Sequence, residues 1–457
     1  MYEVLDMNCI NWQQFGLRKN PYDTLPLIEG GDISIDKAFV GRNSEKKFLD
    51  SLFESNDRIC LTICGDVGVG KTSLANFHKF LWKYTKNKPL FSFRREIEAS
   101  ADILNKKNFL IEIIGSFLRE IRLLQPDLLN EEVLKKLSQI VDFSQTMMLS
   151  GGVSAFGFGL DIGREKSITP PNQLSVTLLE ECFINLVDFV KSHNIKGLKY
   201  SGLVVHVNNF DIILANENGL EMAINFFNEI RDILQTPNVY FLFLGPRNLF
   251  KDVIGARQRV KSIFYPTPLL INPLSKTEIA KAFEERMQLL KSDDVVDYIK
   301  PVEDEVIYKI YDLYNGDIRS IMTSVMDILG QYSEKLSKPL TVNEAMLLLG
   351  KERWEKIENV MKLTTEQKVI LKYFAGSEKW ISQKEISGIF KKAQSNVSGY
   401  YFKPLKDNGI IEEKERIEKI PYYGLTADYM PLKWLIASQE EVNKSVSSKS
   451  EQLDLFK

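Results

Sequence analysis

The sequence predicts an α/β fold in which a parallel sheet, with helices on both faces, carries a glycine-rich loop. An apolar run rich in β-formers, Ile59–Cys64, leads directly into the glycine-rich segment Gly65–Thr72, and a helical pattern follows at once. Two more apolar runs of strand length, Gly202–Val207 and Tyr240–Leu244, lie downstream. Continuous apolar runs are typical of strands buried on both faces. From Thr364 the pattern changes, which predicts a separate C-terminal module.

The composition limits the classes of protein that fit. A chain of 457 residues is too long for one compact core and predicts two or three domains. Fifty-nine basic against 61 acidic residues leave a net charge of −2, so any DNA contact must be local. The four cysteines form no CxxC pair and the three histidines do not cluster with them, which argues against a disulfide framework and a zinc site. Without a signal peptide or membrane span in the pattern, we expect a cytoplasmic protein with no membrane partner.

The segment Gly65–Thr72 reads GDVGVGKT and matches the Walker A pattern in its required strand–loop–helix context. Its backbone N–H groups are expected to surround the β-phosphate, with the positive end of the following helix directed at the same place. The glycines that allow this are Gly65, Gly68 and Gly70. Lys71 should reach the β- and γ-phosphates and the Thr72 hydroxyl should bind Mg²⁺, with Ser73 next to them in the cofactor site. We therefore predict ATP and Mg²⁺ as cofactors.

A second strand ending in acidic residues is expected beside this loop, because one acid binds Mg²⁺ and another orients water in a hydrolytic site. The best candidate strand, Gly202–Val207, ends instead in Asn208 and Asn209, with Asp211 two residues later. An amide carries no charge and cannot take a proton. We therefore predict tight nucleotide binding with slow or absent hydrolysis, unless Asp211 or Glu45 replaces the acid. The alternative is that another strand carries the acids.

Four further segments surround the loop in order: FVGRNSE (39–45), YFLFLGPRN (240–248), RQRVKS (257–262) and NGDIR (315–319). With the Walker A segment, they resemble the initiator-type AAA+ ATPases, the family of archaeal and eukaryotic origin-recognition proteins and their bacterial relatives. The resemblance covers about residues 39–435. It departs at Asn208 and Asn209, where the family carries an acidic pair.

The resemblance implies roles for single residues. Gly41 and Arg42 belong to a box that packs near adenine in this family. Arg319 would reach the γ-phosphate from a helical lid and report its presence, whereas Arg259 would act on the nucleotide of a neighbouring subunit. The latter role implies a homo-oligomer. For both arginines, a surface ion pair is the alternative interpretation.

The stretch 147–164 reads MMLSGGVSAFGFGLDIGR, and in it Phe156 and Phe158 alternate with glycines. This period of two predicts a strand or hairpin added to the sheet edge. An exposed tip that contacts DNA or a partner is the alternative.

The C-terminal pattern consists of three short helices and two strands. TTEQKVILKYF predicts the first helix, Ser382 caps the second, and the third runs from about Ser395 to Asn408, where Pro404 should kink it. The runs II (410–411) and YYGLT (422–426) read as strands around a charged loop. This order predicts a winged helix-turn-helix, whose third helix lies in the major groove of double-stranded DNA.

The outward side chains predicted to bind DNA are Ser395, Asn396, Tyr401, Lys403 and Lys406. From Thr364 to Leu435 there are 12 basic and 9 acidic residues, so the module carries a charge of +3. The predicted wing is acidic, and winged helices also dock proteins, so a protein partner is the alternative.

The last 20 residues begin with a polar stretch poor in aromatics, the composition of a flexible tether. They end in the pentapeptide QLDLF, which resembles the peptide by which bacterial polymerases and repair proteins dock on the DNA sliding clamp. The resemblance implies that Gln452 is a polar anchor and that Leu453, Leu455 and Phe456 fill apolar pockets. A segment that folds back on its own domain is the alternative.

The predicted domains are an N-terminal segment (1–38), a nucleotide-binding core (39–270) with an insertion at about 128–172, a helical lid (271–360), the winged helix (361–437) and the tail (438–457). Together they predict an initiator- or loader-like, DNA-associated protein that uses ATP as a conformational switch. Two alternatives stay open: a signalling switch of an anti-phage defence system acting with a separate effector, and a transposition target selector.

Overall fold

The computed structural model describes residues 10–150, 175–331 and 338–439. The described residues divide into two compact units, one within Leu25–Asn272 and the other formed by those up to Thr24 together with those from Pro273 onward. Residues 25–38, predicted as part of a separate N-terminal segment, therefore lie in the same compact unit as the predicted nucleotide-binding core. Phe156, Phe158 and the pentapeptide 452–456 lie outside the described residues. Within the described part of the chain, no helix is long and apolar enough to cross a bilayer.

The first unit alternates strands and helices. Its strands are β1 (Ile59–Gly65), β2 (Leu90–Ser92), β3 (Ile97–Glu98), β4 (Gly202–Asn208), β5 (Val239–Gly245) and β6 (Leu269–Ile271). Its helices are α1 (Ile35–Ala38), α2 (Asn43–Ser55), α3 (Lys71–Tyr84), α4 (Lys106–Leu124), α5 (Glu132–Ser150), α6 (Val176–Ser192), α7 (Phe210–Leu214), α8 (Gly219–Glu229) and α9 (Gln258–Lys261). Short 3-10 segments cover Pro126–Asn130, Ile233–Gln235 and Ile254–Ala256, and a π-helical turn covers Leu249–Val253.

The sheet has the order β2-β4-β5-β1-β6, with β3 also paired to β4. Every pairing is parallel. The three strands predicted from apolar runs are β1, β4 and β5. Because parallel strands end at a common edge, the segments that follow β1, β4 and β5 meet there, and this edge carries the candidate site.

Successive side chains of the central strand β5 point to opposite faces of the sheet. Tyr240, Leu242 and Leu244 pack in a core with residues of α2 and α3, including Leu49 and Leu74. Phe241 and Phe243 pack in another core with the helices of the opposite face, including α4, α6 and α8. The predicted fold class, an α/β core with helices on both faces of a parallel sheet, is confirmed.

The second unit has two cores. Helices α10 (Lys276–Leu290), α11 (Asp304–Leu313), α12 (Ile318–Gly330) and α13 (Val342–Asn359) form the first core, together with Phe15, Leu17 and Tyr22 from the N-terminal segment. Glu278 and Glu344 complete capping boxes with Ser275 and Thr341 at the starts of α10 and α13. These boxes satisfy otherwise unpaired N–H groups, which explains where both helices begin.

The second core belongs to the C-terminal module, residues 364–439. Its elements are α14 (Thr365–Gly376), β7 (Ile381–Ser382), α15 (Gln383–Ile389), α16 (Gln394–Asn396), a π-helical segment (Val397–Phe402), α17 (Lys403–Asp407), β8 (Ile411–Ile417), β9 (Ile420–Leu425), a 3-10 turn (Ala427–Tyr429) and a helix over 432–439. The strands form an antiparallel sheet of order β7-β9-β8. The module packs around Phe374, Ile386 and Phe402, with Ile357 from the end of α13.

Candidate nucleotide site

The loop between β1 and α3 has the backbone geometry that its glycines were predicted to allow. Gly68 and Gly70 have φ angles of 76° and 91°, in the left-handed region where side chains with a Cβ are strained. A Cβ on Gly65 would lie 2.6 Å from the carbonyl oxygen of Ile271, too close for any other residue. All three glycines are therefore required by the shape of the loop.

Lys71 begins α3 and is buried. Its Nζ donates hydrogen bonds to the carbonyl oxygens of Gly65, at 2.9 Å, and Asp66, at 2.7 Å. The ammonium thus lies inside the loop, in front of the N-terminus of a 14-residue helix whose dipole favours anions. A glycine loop, a buried cation and the Thr72 hydroxyl form a donor set that fits a triphosphate with its Mg²⁺.

Asn208, the last residue of β4, lies beside this loop. Its buried side-chain amide donates a hydrogen bond of 3.0 Å to Thr72 Oγ1. The strand selected from the sequence is therefore the one whose end contacts the hydroxyl predicted to bind Mg²⁺. At this point the site holds a neutral amide where the resemblance places an acid.

The next residues turn away from β4 into a short helix. Asn209 has a φ of 68° and is the N-cap of α7, and Asp211 lies in the first turn of that helix. Asparagine is among the few residues that adopt this left-handed conformation at low cost. The local backbone conformation therefore explains why an asparagine occupies position 209. Glu45, the other acid predicted as a substitute, accepts hydrogen bonds from Ser44, at 2.7 Å, and from Arg42, at 3.2 Å.

Arg42 ties the 39–45 segment to the phosphate loop. Its buried guanidinium donates through Nη2 to the carbonyl oxygen of Val69, at 2.8 Å. Gly41 and Arg42 have φ angles of 74° and 60°, so the backbone turns sharply there. Phe39 stacks on Phe77 of α3 with ring centroids 4.5 Å apart. Sequence reasoning assigned this box to adenine and missed its bond to the loop.

A second missed contact joins the end of β5 to the loop. Arg247 Nε lies 2.9 Å and 3.0 Å from the two carboxylate oxygens of Asp66, and its Nη2 donates to Asn272 Oδ1 at 3.2 Å. The hydrogen bond and charge of Asp66 raise the pKa of Arg247. Both side chains are largely exposed, so we assign little stability to this pair. Its position identifies Arg247 as a cation at the mouth of the site.

The predicted finger residue Arg259 is exposed on α9. Its Nε and Nη2 donate to Asn228 Oδ1, at 2.9 Å and 2.6 Å, beside a surface hollow also lined by Ala256, Arg257 and Gln258. An asparagine partner leaves the positive charge of the guanidinium without neutralisation by this contact. The alternative of a surface ion pair finds no support in these two bonds.

Arg319 lies in the other unit, exposed in the first turn of α12. The Asp317 carboxylate caps this helix by accepting from the backbone N–H groups of Arg319, at 2.9 Å, and Ser320, at 3.3 Å. Gly316 has a φ of 79°, and a Cβ there would lie 2.6 Å from Pro273 Cβ. The Gly-Asp pair of this motif therefore shapes the helix start that presents Arg319.

In the C-terminal module, the structure exposes four of the five predicted DNA-binding residues: Ser395, Asn396, Lys403 and Lys406. The prediction that the Tyr401 side chain faces outward is wrong. Tyr401 is only 2% exposed, and its hydroxyl donates to Glu366 Oε2 at 2.6 Å. The neighbouring Tyr400 is 48% exposed instead.

The π-helical turn Val397–Phe402 explains this difference, because its period departs from the 3.6 residues assumed for an α-helix. Pro404 has no N–H to donate to the carbonyl oxygen of Tyr400 four residues earlier. That oxygen accepts from Gln367 Nε2 instead, at 2.6 Å. The predicted kink at Pro404 is thus realised as a widened turn that rotates Tyr401 inward.

No protein-family model matches the sequence, and no curated protein matches it. Among solved structures, the chain is similar to the ORC1 protein of Aeropyrum pernix in complex with DNA, at 13% identity and a TM-score of 0.45, covering 94% of this chain and 99% of that one. It is also similar to the Aeropyrum pernix ORC2 protein in ADPNP-ADP complexes, at 15% identity and a TM-score of 0.46, covering 94% and 100%. A third is Cdc6p from Pyrobaculum aerophilum, at 15% identity and a TM-score of 0.40, covering 91% and 100%.

Proposed function

We propose that this chain is an ATP-binding AAA+ protein of the initiator or loader type, in which bound ATP acts as a conformational switch and is hydrolysed slowly or not at all. The hydrogen bond from Asn208 to Thr72, at 3.0 Å, carries this proposal. It puts a neutral amide beside the hydroxyl expected to bind Mg²⁺. An amide adds no negative charge and accepts no proton, so holding ATP is favoured over cleaving it.

The residues of the site have separate roles in binding the nucleotide. The loop glycines and Lys71 bind the β- and γ-phosphates, and Arg42 holds the loop in shape through Val69. Bound Mg²⁺ would neutralise phosphate charge next to Thr72. Arg247 adds a cation at the mouth of the site, where phosphate oxygens would compete with Asp66 for its guanidinium.

The second unit contains a continuous path from Arg319 to the C-terminal module. Arg319 is the second residue of α12, and Asp327 further along α12 pairs with buried Arg353 of α13 at 2.9 Å. The Nε of Arg353 donates to the carbonyl oxygen of Asp428 at 3.1 Å, and the Asp428 carboxylate accepts from Tyr314 at 2.8 Å. A γ-phosphate bound by Arg319 would therefore bias the helices on which the module rests.

The C-terminal module acts as a winged helix that binds double-stranded DNA. Its helical run 394–407 presents exposed hydroxyl, amide and ammonium groups, and the β8–β9 hairpin forms the wing. Lys403 and Lys406 bind phosphates, while Ser395 and Asn396 are close to base edges. The pentapeptide at 452–456 docks the protein on the bacterial sliding clamp, and Arg259 acts between the subunits of an oligomer.

Nucleotide analysis of the purified protein tests the proposal. We expect the wild type to retain ATP and to turn it over well below 1 s⁻¹, against the typical enzyme range of about 1–10³ s⁻¹. Lys71→Ala should lose the nucleotide, whereas Lys47→Ala, an exposed lysine on α2, should retain it. Turnover in the ordinary enzyme range, with or without DNA and clamp, would contradict the switch.

A further inference from the structure

We propose that Glu98, on the strand next to β4, supplies the carboxylate that Asn208 lacks and binds the water shell of the magnesium ion held with ATP. This inference rests on the proposed function, since it concerns the same site. The strand β3 pairs with the last two residues of β4, with Ile97 opposite Val207 and Glu98 opposite Asn208. The backbone N–H of Ala99 then donates to the carbonyl oxygen of Asn208 at 2.8 Å.

The register determines which face of the sheet Glu98 occupies. Ile97 and Val207 pack together in the core on the α4 face. Because side chains alternate along a strand and paired residues of parallel strands share a face, Glu98 and Asn208 both point to the opposite face. The bond from Asn208 to Thr72 identifies this as the face that carries the phosphate loop.

The distance between the two strands suits a water-mediated role. Neighbouring strands lie about 4.8 Å apart, so the longer glutamate side chain begins one strand spacing from Asn208 and reaches towards the same space. A carboxylate there accepts hydrogen bonds from metal-bound water without binding the ion directly. Outer contacts of this kind commonly change metal affinity by about 10- to 100-fold.

Among the described acids near the ends of β1, β3 and β4, Glu98 and Asp211 have no side-chain partner, and of these two Glu98 is the one paired in register with Asn208. Glu45 is bound to Arg42 and Ser44, and Asp66 is bound to Arg247. Glu98 is exposed, and among the residues that the structure describes its carboxylate has no hydrogen-bond or ion-pair partner.

The experiment compares Glu98→Gln with Glu54→Gln, which removes the same charge from an exposed site. Glu54 lies near the end of α2, just before β1 starts. It is therefore at the amino-terminal ends of the strands, whereas the candidate site is at their carboxyl ends. The measurement is the affinity for a fluorescent ATP analogue across a Mg²⁺ titration and in EDTA. We expect all three proteins to bind equally in EDTA. With Glu98→Gln, the midpoint of the Mg²⁺ titration should rise about tenfold, and with Glu54→Gln it should not move.

Three other outcomes would contradict the role of Glu98, and one of them would also contradict the proposed function. An unchanged Mg²⁺ midpoint for Glu98→Gln overturns the role of Glu98 and leaves ATP binding intact. An equal loss of affinity in EDTA and in Mg²⁺ also overturns it, because the effect would not involve the cation. A wild-type protein that binds no ATP analogue in either condition overturns the proposed function, and the role of Glu98 with it.

Discussion

The side-chain amide of Asn208 donates a hydrogen bond to the hydroxyl of Thr72 across 3.0 Å, joining the end of β4 to the first turn of α3. Replacing Asn208 with aspartate puts a carboxylate beside the expected magnesium ligand without changing the size of the side chain. We expect Asn208→Asp to raise the Mg²⁺ affinity of the ATP complex, and the rate of ATP turnover, at least about tenfold. Phosphate release and a Mg²⁺ titration of nucleotide binding measure the two effects.

Asn216→Asp is the matched control, because it adds the same charge at an exposed position between α7 and α8. It should change neither quantity. If Asn208→Asp behaves like Asn216→Asp, the neutral amide is not what restrains turnover.

Arg42 is buried and bonds to the carbonyl oxygen of Val69 and to Glu45. Arg42→Ala leaves the carbonyl oxygen of buried Val69 without this donor, and a buried unpaired group costs about 1–3 kcal/mol. We expect the free energy of unfolding of the first unit to fall by about 1–3 kcal/mol and the affinity for ATP to fall with it. Urea unfolding with and without ATP measures both. Lys47→Ala, on the exposed side of α2, should leave both unchanged.

The features that could be predicted from the sequence are those that depend on residues close together in the chain. Apolar runs identified β1, β4 and β5, and the loop glycines followed from the spacing of GDVGVGKT. The contacts of Arg42 with Val69, of Arg247 with Asp66, and of Glu98 with Asn208 join residues 27, 181 and 110 positions apart in the chain. No periodicity in one segment reports such a contact, because each depends on the order of strands in the sheet.

Tyr401 shows a second reason why a prediction from sequence can fail, which is a local departure from regular helix geometry. Its outward position was predicted from the spacing of an ordinary α-helix. A single π-helical turn that includes Tyr401, next to a proline that cannot complete the regular bonding, turns the Tyr401 side chain inward. Pro404 was the visible signal in the sequence, whereas no sequence pattern indicated that Gln367 would bond to the carbonyl oxygen of Tyr400.

His206 should make the stability of the first unit, Leu25–Asn272, depend on pH. Burial lowers the pKa of His206 well below 6.5, and the charge of Lys79 lowers it further. The folded protein thus holds a neutral ring, while the unfolded chain binds a proton below pH 6.5. Stability contributed by the neutral ring is complete above that pH and falls by about 1.4 kcal/mol per pH unit below it.

Unfolding in urea between pH 7.5 and 5 measures this slope. His206→Leu cannot titrate, so its stability should fall less steeply over the same range. Parallel slopes for the two proteins would show that His206 is not the group responsible.

The tip of the β8–β9 hairpin is strained. Ile417 pairs with Ile420, so only Glu418 and Lys419 form the turn, with φ angles of 50° and 70°. Two-residue turns with two positive φ angles favour Asn-Gly. We expect Glu418→Asn with Lys419→Gly to raise the melting temperature, in line with a gain of about 1–2 kcal/mol. Lys419→Ala keeps a Cβ in the same conformation and should give no gain, and a similar gain from it would point to the lost charge instead.

Lys403 and Lys406 are exposed on the helical run that we assign to the major groove. Reversing both charges removes two phosphate contacts, so Lys403→Glu with Lys406→Glu should abolish duplex binding at moderate salt. The magnitude of the salt slope of any remaining binding should fall by about two, since each phosphate contact contributes about 0.9. Fluorescence anisotropy with a DNA duplex across a salt series measures both quantities.

The control is Lys379→Glu with Lys384→Glu, two exposed lysines of the same module outside the 394–407 run. Both double variants change the module from +3 to −1, because each replaces two positive charges by two negative ones. If DNA binding depends only on the overall charge of the module, the two double variants should lose affinity for the duplex equally. A loss of DNA affinity confined to Lys403→Glu with Lys406→Glu would assign the DNA contact to the 394–407 run. Unchanged DNA affinity in both double variants would favour a protein partner for the module.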